Sequence, residues 1–284
     1  MLRSMFSAVS GLRAHQTMMD VTGNNIANVN TSGYKGSRTT FQETLAQATR
    51  GGTAGVAGDD GQGGVNGIQL GLGSQVAATD MVFTQGASQT TGRSTDVAIQ
   101  GEGFFLVDSG GEQRYTRAGA FSFDNQGQLV GPGGERVQGW LHEGAAGDDL
   151  DVSYDEADVD DIVVDLEAYT DVSIGNDGTI TGRAEDGELH DLGALALARF
   201  PNNGDLVREG NGLFSPGPNA GDVIIDGAGE DGLGTLQSGT LEMSNVDLAQ
   251  EFTNLILSQR GFQANSRSIT TSDELLQELV NLKR

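Results

Sequence analysis

Apolar residues recur at alternating steps of three and four positions at both ends of the chain. Such spacing places side chains on one face of an α-helix and, over several turns, forms the seam of a coiled coil. It therefore predicts a helix at each end. The apolar seam positions of the N-terminal helix are Leu2, Met5, Val9, Leu12, Met19 and Ile26. Those of the C-terminal helix are Phe252, Leu255, Phe262, Ile269 and Leu276.

The middle of the chain has a different pattern, in which short segments of alternating apolar and polar residues are separated by Gly, Asn and Asp. This pattern is typical of many short β-strands. Residues 97–99, 103–107 and 195–200 are candidates for buried strands, and 124–127 and 176–179 are candidates for hairpin turns. The predicted fold class is mixed α and β, with N- and C-terminal helices pairing as a coiled coil and a central all-β body.

Composition divides the chain further. Glycine-rich stretches are typical of flexible linkers, and acidic stretches with little hydrophobic density are typical of solvated insertions. The predicted parts are a terminal helical assembly domain (1–47 with 246–284), a Gly-rich linker (48–70), a β-rich body (71–145 with 172–243) and an acidic insertion (146–171).

The two apolar stripes need a surface to be buried against, because isolated amphipathic helices are marginal in water. One possibility is an ordinary helical hairpin inside a single monomer. The other is self-assembly, in which polar seam positions such as Gln16, Gln259 and Ser266 face identical groups on neighbouring subunits. We favour self-assembly, and we expect the stripes to lack partners within an isolated monomer.

An asparagine-rich run follows the first apolar stripe. Asn24, Asn25, Asn28 and Asn30 precede a Thr-Ser-Gly-Tyr stretch that ends at Lys35. Asn side chains compete with the helix for backbone hydrogen bonds, and both Asn and Gly tolerate left-handed backbone geometry. The run therefore predicts the end of the N-terminal helix.

Charge and composition exclude several classes of function. The formal net charge is −24, and the acidic residues are concentrated in the middle of the chain, so nucleic acid is not an expected partner. Cysteine is absent, which excludes disulfides and thiolate sites. No apolar run is long enough for membrane insertion, and the N-terminus lacks the pattern of a cleaved secretory signal. Any export is expected to leave the N-terminus uncut.

Catalytic constellations are not found in the sequence. The three histidines, His15, His142 and His190, lie far apart, and no residues have the spacing of a metal site. No nucleophile motif and no phosphate-binding glycine loop is present. We therefore expect a protein that is not an enzyme and that has no cofactor.

The asparagine-rich run resembles the N-terminal signature of the bacterial flagellar rod and hook proteins. Three further stretches resemble motifs of that family in the same order: 5–12, 91–105, and 241–248 with 259–265. Within the family, the stretches 7–12, 91–93 and 137–140 look more like hook than distal rod. The hook is the favoured prediction and the distal rod the alternative. An acidic secreted binding module is a third possibility.

The resemblance implies a mechanical role. Similar subunits leave through the flagellar type III export channel without a cleaved signal and polymerise into a tube, which here would be the extracellular hook, continuous with the basal body. The implied partners are further copies of the chain, the distal rod, hook cap and hook–filament junction proteins, and the export apparatus. The candidate assembly interface consists of the seam positions given above together with Asn24, Asn25 and Asn28.

Overall fold

The computed structural model describes residues 2–55, 64–145, 159–185 and 187–282. The chain divides into two compact units. The helical unit comprises Met1–Ala27, Ser37–Met81 and Asp247–Arg284, and the β unit comprises Asn28–Gly36 and Val82–Val246. The mixed fold, with two helices and a large β body, is confirmed for the described residues.

The helical unit contains both helices, α1 (Leu2–Ala27) and α2 (Leu248–Leu282). Helix α2 begins where the sequence offers a capping carboxylate, because Asp247 Oδ1 accepts hydrogen bonds from the backbone N–H groups of Ala249 and Gln250 at 2.8 and 3.3 Å. Glu251 lies in the first turn, where negative charge stabilises the helix dipole. No helix in the described part of the chain is both long and apolar enough to cross a bilayer.

Two antiparallel strand pairs complete the helical unit. Strand β1 (Ser37–Glu43) pairs with β4 (Ser74–Met81), and β2 (Ala46–Arg50) pairs with β3 (Ile68–Gly71). The predicted linker, residues 48–70, therefore begins in β2 and ends in β3. These two strands pair through backbone hydrogen bonds, which glycine residues can also form. Residues 56–63, at the centre of that segment, lie outside the described residues.

The β unit is built from short strands. They are β5 (Ser88–Thr90), β6 (Val97–Gln100), β7 (Phe104–Asp108), β8 (Gln113–Thr116), β9 (Ser122–Phe123), β10 (Leu129–Val130), β11 (Arg136–Ala145), β12 (Asp160–Asp161), β13 (Tyr169–Ile174), β14 (Thr179–Ala184), β15 (Leu189–Leu195), β16 (Leu197–Arg199), β17 (Leu206–Gly210), β18 (Leu213–Pro216), β19 (Ile224–Asp226), β20 (Thr235–Ser238) and β21 (Thr240–Glu242). A single 3-10 turn, Asn203–Asp205, is described among them.

The strands pair antiparallel. Eight of them form the path β13-β14-β15-β11-β7-β8-β18-β17 of one large sheet. Two separate pairs, β6 with β20 and β5 with β21, bring the strands that precede β7 beside the strands that precede α2. The last strands before the C-terminal helix are thus held by an early part of the β unit.

The predicted buried strands are confirmed, because β6, β7 and the run from β15 to β16 supply much of the core. Within it the rings of Phe105 and Phe121 meet edge to face, with centroids 5.0 Å apart. Both predicted turns are confirmed as well. Asp124 and Asp177 accept hydrogen bonds from backbone N–H groups two residues ahead, and Gly127 and Gly178 have positive φ.

The prediction of low hydrophobic density across the acidic insertion is wrong for its later part. Ile162 and Val164 are buried in the core, while Val163 between them is exposed. The adjoining Asp161 pairs with Arg136 at 2.6 Å. Ile162, Val163 and Val164 are buried and exposed in alternation, as in a β-strand. The acidic residues around them lower the average hydrophobicity of the segment, so the sequence does not reveal this strand-like pattern. Residues 146–158 lie outside the described residues.

The two valines beside Ile162 provide a matched test of this packing. We expect Val164→Ala to lower the free energy of unfolding by about 1.5–3 kcal/mol, because a fully buried valine loses its apolar contacts. Val163→Ala, at a position that is 45% exposed, should change it by less than about 0.5 kcal/mol. Chemical denaturation of both variants measures the difference. Equal losses would contradict the assignment of this segment to the core.

Candidate assembly interface

The two terminal helices contact each other through small residues. A methyl group on Gly11 would lie 2.8 Å from the side-chain Nδ2 of Asn265. A methyl group on Gly261 would overlap the imidazole ring of His15. Each glycine therefore makes room for a polar side chain of the other helix. The two helices therefore meet inside the monomer, which was not expected, but this contact is made by small and polar residues.

The buried positions of both helices are also small or polar. The hydroxyls of Ser258 and Ser272 donate to carbonyl oxygens of their own helix at 2.8 and 2.7 Å, which satisfies them without a partner side chain. Close helix approach at small residues leaves little room for large apolar side chains. The buried helix residues are Ala8, Gly11, Ala14, Thr22, Asn25, Ser258 and Ser272.

The apolar residues predicted for the assembly interface lie mostly at the edge of this contact or outside it. Val9, Phe252 and Phe262 are exposed. The partly exposed members are Met5, Leu12, Met19, Ile26, Leu255, Ile269 and Leu276. Leu2 is the first residue of α1, and its side chain is not described. The monomer thus leaves much of the predicted apolar stripe uncovered.

The asparagines of the interface have different environments. Asn25 is buried, and its side chain accepts from the N–H of Ser37 at 2.9 Å and donates to the carbonyl of Ser37 at 2.7 Å. It also donates to Glu251 Oε1 at 3.2 Å, so it fastens the end of α1 to β1 and to the first turn of α2. Asn24 is exposed and Asn28 is partly exposed. Helix α1 ends at Ala27, as the run of asparagines predicts.

The rest of the signature run belongs to the β unit. Gly33 has φ +67°, its N–H donates to the carbonyl of Glu242 at 2.8 Å, and a side chain there would collide with the backbone of Arg117. The Tyr34 ring lies 4.5 Å from the guanidinium of Arg208. The same guanidinium donates to the carbonyl oxygen of Lys35 at 2.5 Å.

A buried ionic cluster anchors this segment; we call it the Glu242 cluster (Lys35, Arg117 and Glu242). Lys35 Nζ donates to Glu242 Oε1 at 2.6 Å and to the carbonyl of Thr84 at 3.0 Å. Arg117 Nη1 donates to Glu242 Oε2 at 3.3 Å. The N–H of Gly86 also donates to Oε1, at 2.8 Å. The side chains of Lys35 and Glu242 are each only 1% exposed.

The Glu242 cluster contains two cations and one carboxylate. Burial lowers the pKa of Lys35 from its ordinary 10.5, the charge of Arg117 lowers that pKa further, and Glu242 opposes both effects. Burial likewise lowers the pKa of Arg117, whose guanidinium also lies 5.3 Å from the centre of the Phe104 ring. Glu242 is therefore the charge that makes burial of both cations tolerable.

Asn245 adds a second fastening beside the Glu242 cluster. Its Oδ1 accepts from the N–H of Gly36 at 2.7 Å, and its Nδ2 donates to the carbonyls of Val82 and Thr84 at 2.8 and 3.1 Å. The N-terminal and C-terminal motifs that carry the family resemblance thus bind each other within the β unit. The sequence reveals both motifs but does not indicate a partner for Lys35 or for Glu242.

Catalytic machinery is not evident among the described residues. They contain no group of three or more His, Asp or Glu residues that could hold a metal ion. His15 packs against Gly261, and the His190 ring lies 5.9 Å from the ring of Tyr169.

Three family models match the chain. The model described as flagella basal body rod protein matches residues 5–35. The model for the flagellar hook protein FlgE/F/G D1 domain matches residues 98–182, and the model for the flagellar basal body rod FlgEFG protein C-terminal region matches residues 237–282. The first and last of these matches contain the two motifs that meet at the Glu242 cluster.

Full-length relatives are found among both rod and hook proteins. The chain is 44% identical to the flagellar basal-body rod protein FlgG of Bacillus subtilis over 285 residues, covering 100% of both chains. It is 33% identical to the rod protein FlgG of Borreliella burgdorferi over 286 residues, again covering 100% of both. The hook protein FlgE of Borreliella burgdorferi is 30% identical over 446 residues, covering 100% of both.

Proposed function

We propose that this chain, which belongs to the family of flagellar rod and hook proteins, is a structural subunit of the distal rod of the bacterial flagellum. The observation that carries the proposal is the full-length similarity to the rod protein of Bacillus subtilis. The hook, which the sequence motifs favoured, becomes the second candidate and is supported by the lower identity to a hook protein. The distal rod is the better supported of the two.

Length explains why the short motifs favoured the weaker candidate. The alignment with the hook relative extends over 446 positions, although this chain has 284 residues, so that relative carries segments that this chain lacks. The alignments with rod relatives extend over 285 and 286 positions and need almost no insertion. Motifs such as 137–140 lie in the β body that the D1-domain model assigns to hook and rod proteins alike, so they separate the two poorly.

The proposed mechanism is polymerisation into a tube whose inner wall is formed by paired terminal helices. Within one chain the helices meet through small residues, and the exposed apolar stripe is available to neighbouring copies. Heptad-spaced side chains on that stripe would pack between copies as a coiled coil. The proposed interface residues are the apolar seam positions and Asn24, Asn25 and Asn28, with Asn25 acting as a fastening inside each subunit.

The Glu242 cluster suits a subunit that transmits torque. Buried, hydrogen-bonded charges fix the relative placement of the segments that carry them more strictly than apolar contacts do. Here they hold residues 33–36 against 241–245, next to the points where the chain enters and leaves the β unit. The proposed role of the cluster is to prevent those segments from slipping under load.

The proposed partners are further copies of the chain, the neighbouring rod and hook proteins, and the export apparatus. The hook cap and hook–filament junction proteins were expected from the hook prediction, and with the distal rod favoured they are no longer proposed. The proposed location is the basal body, reached by export with an uncut N-terminus. No catalytic activity is proposed.

Electron micrographs of tubes assembled from purified protein test the proposal. A distal rod subunit is expected to form straight, stiff tubes, because a rod that transmits rotation along one axis must not bend. Curved or supercoiled tubes would favour the hook instead. If the protein stays monomeric at high concentration but binds a ligand, this result would contradict both the rod and the hook hypotheses. It would favour the third possibility, a secreted binding module.

A further inference from the structure

We propose that the C-terminal end of α2 of one copy docks into a groove beside α1 of a second copy. This inference rests on the proposed function and identifies a contact by which copies would join. We call residues 275–282 the α2 tip. The α1 groove is the cleft of about 490 Å³ between α1 and the β1–β4 strand pair, lined by Phe6, Val9, Arg13, Thr17, Thr44 and Val76 among others.

The α2 tip extends beyond the helix pair. Gly11 lies against Asn265, and His15 lies against Gly261, so the helices run antiparallel and α1 begins opposite about residue 274 of α2. The tip therefore projects past the first residue of α1 by about 12 Å, at about 1.5 Å per residue. It is apolar and uncovered, with Val280 67% and Leu282 82% exposed, and Leu275 and Leu279 exposed as well.

The α1 groove offers a complementary apolar surface on a different stripe of α1. Its α1 side is formed by residues three and four apart, including Phe6, Val9 and Arg13, whereas Gly11 and His15 face α2. Phe6 is 71% exposed and Val9 is exposed, so large apolar side chains line an open cleft. Such a cleft fits an amphipathic helix end, which inserts its apolar face.

Glu278 in the α2 tip and Arg13 in the α1 groove carry opposite charges. Asp273 and Glu274 precede the tip, and Lys283 and Arg284 follow it in the sequence. The first 19 residues of the chain contain Arg3 and Arg13 and no acid. None of the ion pairs found among the described residues involves Arg3, Arg13, Asp273, Glu274 or Glu278. Opposite charge steers the docking and selects its register.

The tip cannot occupy the groove of its own chain. In the antiparallel register Phe6 lies opposite about residue 270 of α2, so the end of the tip is about 18 Å further along a continuous helix. Docking consequently needs a second copy. Because the tip and the groove are different surfaces of one chain, the contact is head-to-tail and can repeat without closing, as a tube requires.

Cysteine cross-linking tests the contact, because the chain has no cysteine of its own. Purified Val9→Cys and Val280→Cys proteins are mixed, allowed to assemble, and treated with a short bis-maleimide reagent. We expect at least about tenfold more cross-linked product than from a mixture of Val9→Cys with Val207→Cys, since docking raises the effective concentration of only the first pair. Val207 is an exposed valine of the β unit and makes a matched control.

A charge exchange provides the second measurement. Arg13→Glu and Glu278→Arg should each slow assembly by about two- to fivefold, as expected for loss of an exposed ion pair. The double variant should recover most of the original rate, whereas additive losses would contradict the contact. Assembly without preferential cross-linking of positions 9 and 280 would overturn this inference and leave the proposed function standing. Failure of the unmodified protein to assemble at any concentration would overturn both.

Discussion

Replacing Glu242 with glutamine is expected to lower the free energy of unfolding of the β unit by about 3–5 kcal/mol, the usual cost of breaking a buried ionic contact by removing one partner. The substitution keeps the size of the side chain but removes the one carboxylate that forms an ion pair with both Lys35 and Arg117. Chemical denaturation followed by the fluorescence of Trp140, which is buried in the β unit, measures the loss.

Lys35→Met is the matched control for this prediction. It removes one cation and leaves Glu242 paired with Arg117, so we expect less than half of the loss caused by Glu242→Gln. The comparison separates loss of charge balance from loss of packing at the same cluster. A larger loss from Lys35→Met than from Glu242→Gln would mean that the lysine, rather than the carboxylate, holds the cluster together.

The effect of Glu242→Gln should depend on pH. Burial already holds the pKa of Lys35 below its value in the unfolded chain, and loss of Glu242 lowers this pKa further. Between the folded and unfolded pKa values the unfolded state binds more protons, so stability rises with pH there. The deficit of the Glu242→Gln variant should therefore be full at neutral pH and shrink as the pH approaches about 10. A deficit that stays constant over this range would contradict the role of the buried lysine charge.

Local patterns in the sequence were sufficient to predict much of the fold. The periodicity of three and four predicted α1 and α2, and the Asn-rich run predicted the helix end at Ala27. The continuous apolar runs predicted β6 and β7, and Asp-Gly turn chemistry predicted the hairpins near Asp124 and Asp177. Each of these features depends on neighbours along the chain, which is why a single sequence reveals it.

The features that were missed depend on residues far apart in sequence. Lys35 and Glu242 are 207 positions apart, and nothing in either local pattern indicates that they meet. The helix contact was also misjudged, because large apolar residues were expected at the seam and the structure places Gly11 and Gly261 there instead. Intrinsic propensity alone counts glycines inside a helix as unfavourable. Their space-filling role becomes visible only when the partner helix is present.

The small residues of the helix contact and the large apolar residues of the exposed stripe have different roles. Small residues join α1 and α2 closely within one chain, and large apolar residues such as Phe252 remain outside that contact. A monomer seldom exposes so many large apolar side chains on two helices unless another molecule covers them. Assembly between copies therefore depends on the α1–α2 contact, because this contact holds the exposed apolar stripe in place. We expect a substitution that separates the two helices to prevent assembly even when the stripe itself is unchanged.

Gly261→Leu is expected to separate the helices, because the new side chain would occupy the position of the His15 ring. Overpacking of this kind costs about 1–3 kcal/mol. Gly23→Leu is the matched control, since Gly23 lies in α1 and a side-chain carbon added there would have no atom within 4 Å. At that open position leucine should stabilise the helix by about 0.8–1 kcal/mol.

The two substitutions are chemically identical, so helix propensity alone predicts more helix in both variants, and only the packing argument predicts opposite signs. Amide hydrogen exchange over α1 and α2, with the β unit as an internal reference, distinguishes the two cases. We expect faster exchange in both helices of Gly261→Leu, unchanged exchange in its β unit, and loss of tube assembly. Slower exchange in Gly261→Leu would show that Gly261 is not at the helix contact, and faster exchange in Gly23→Leu would show that α1 is covered where the structure leaves it open.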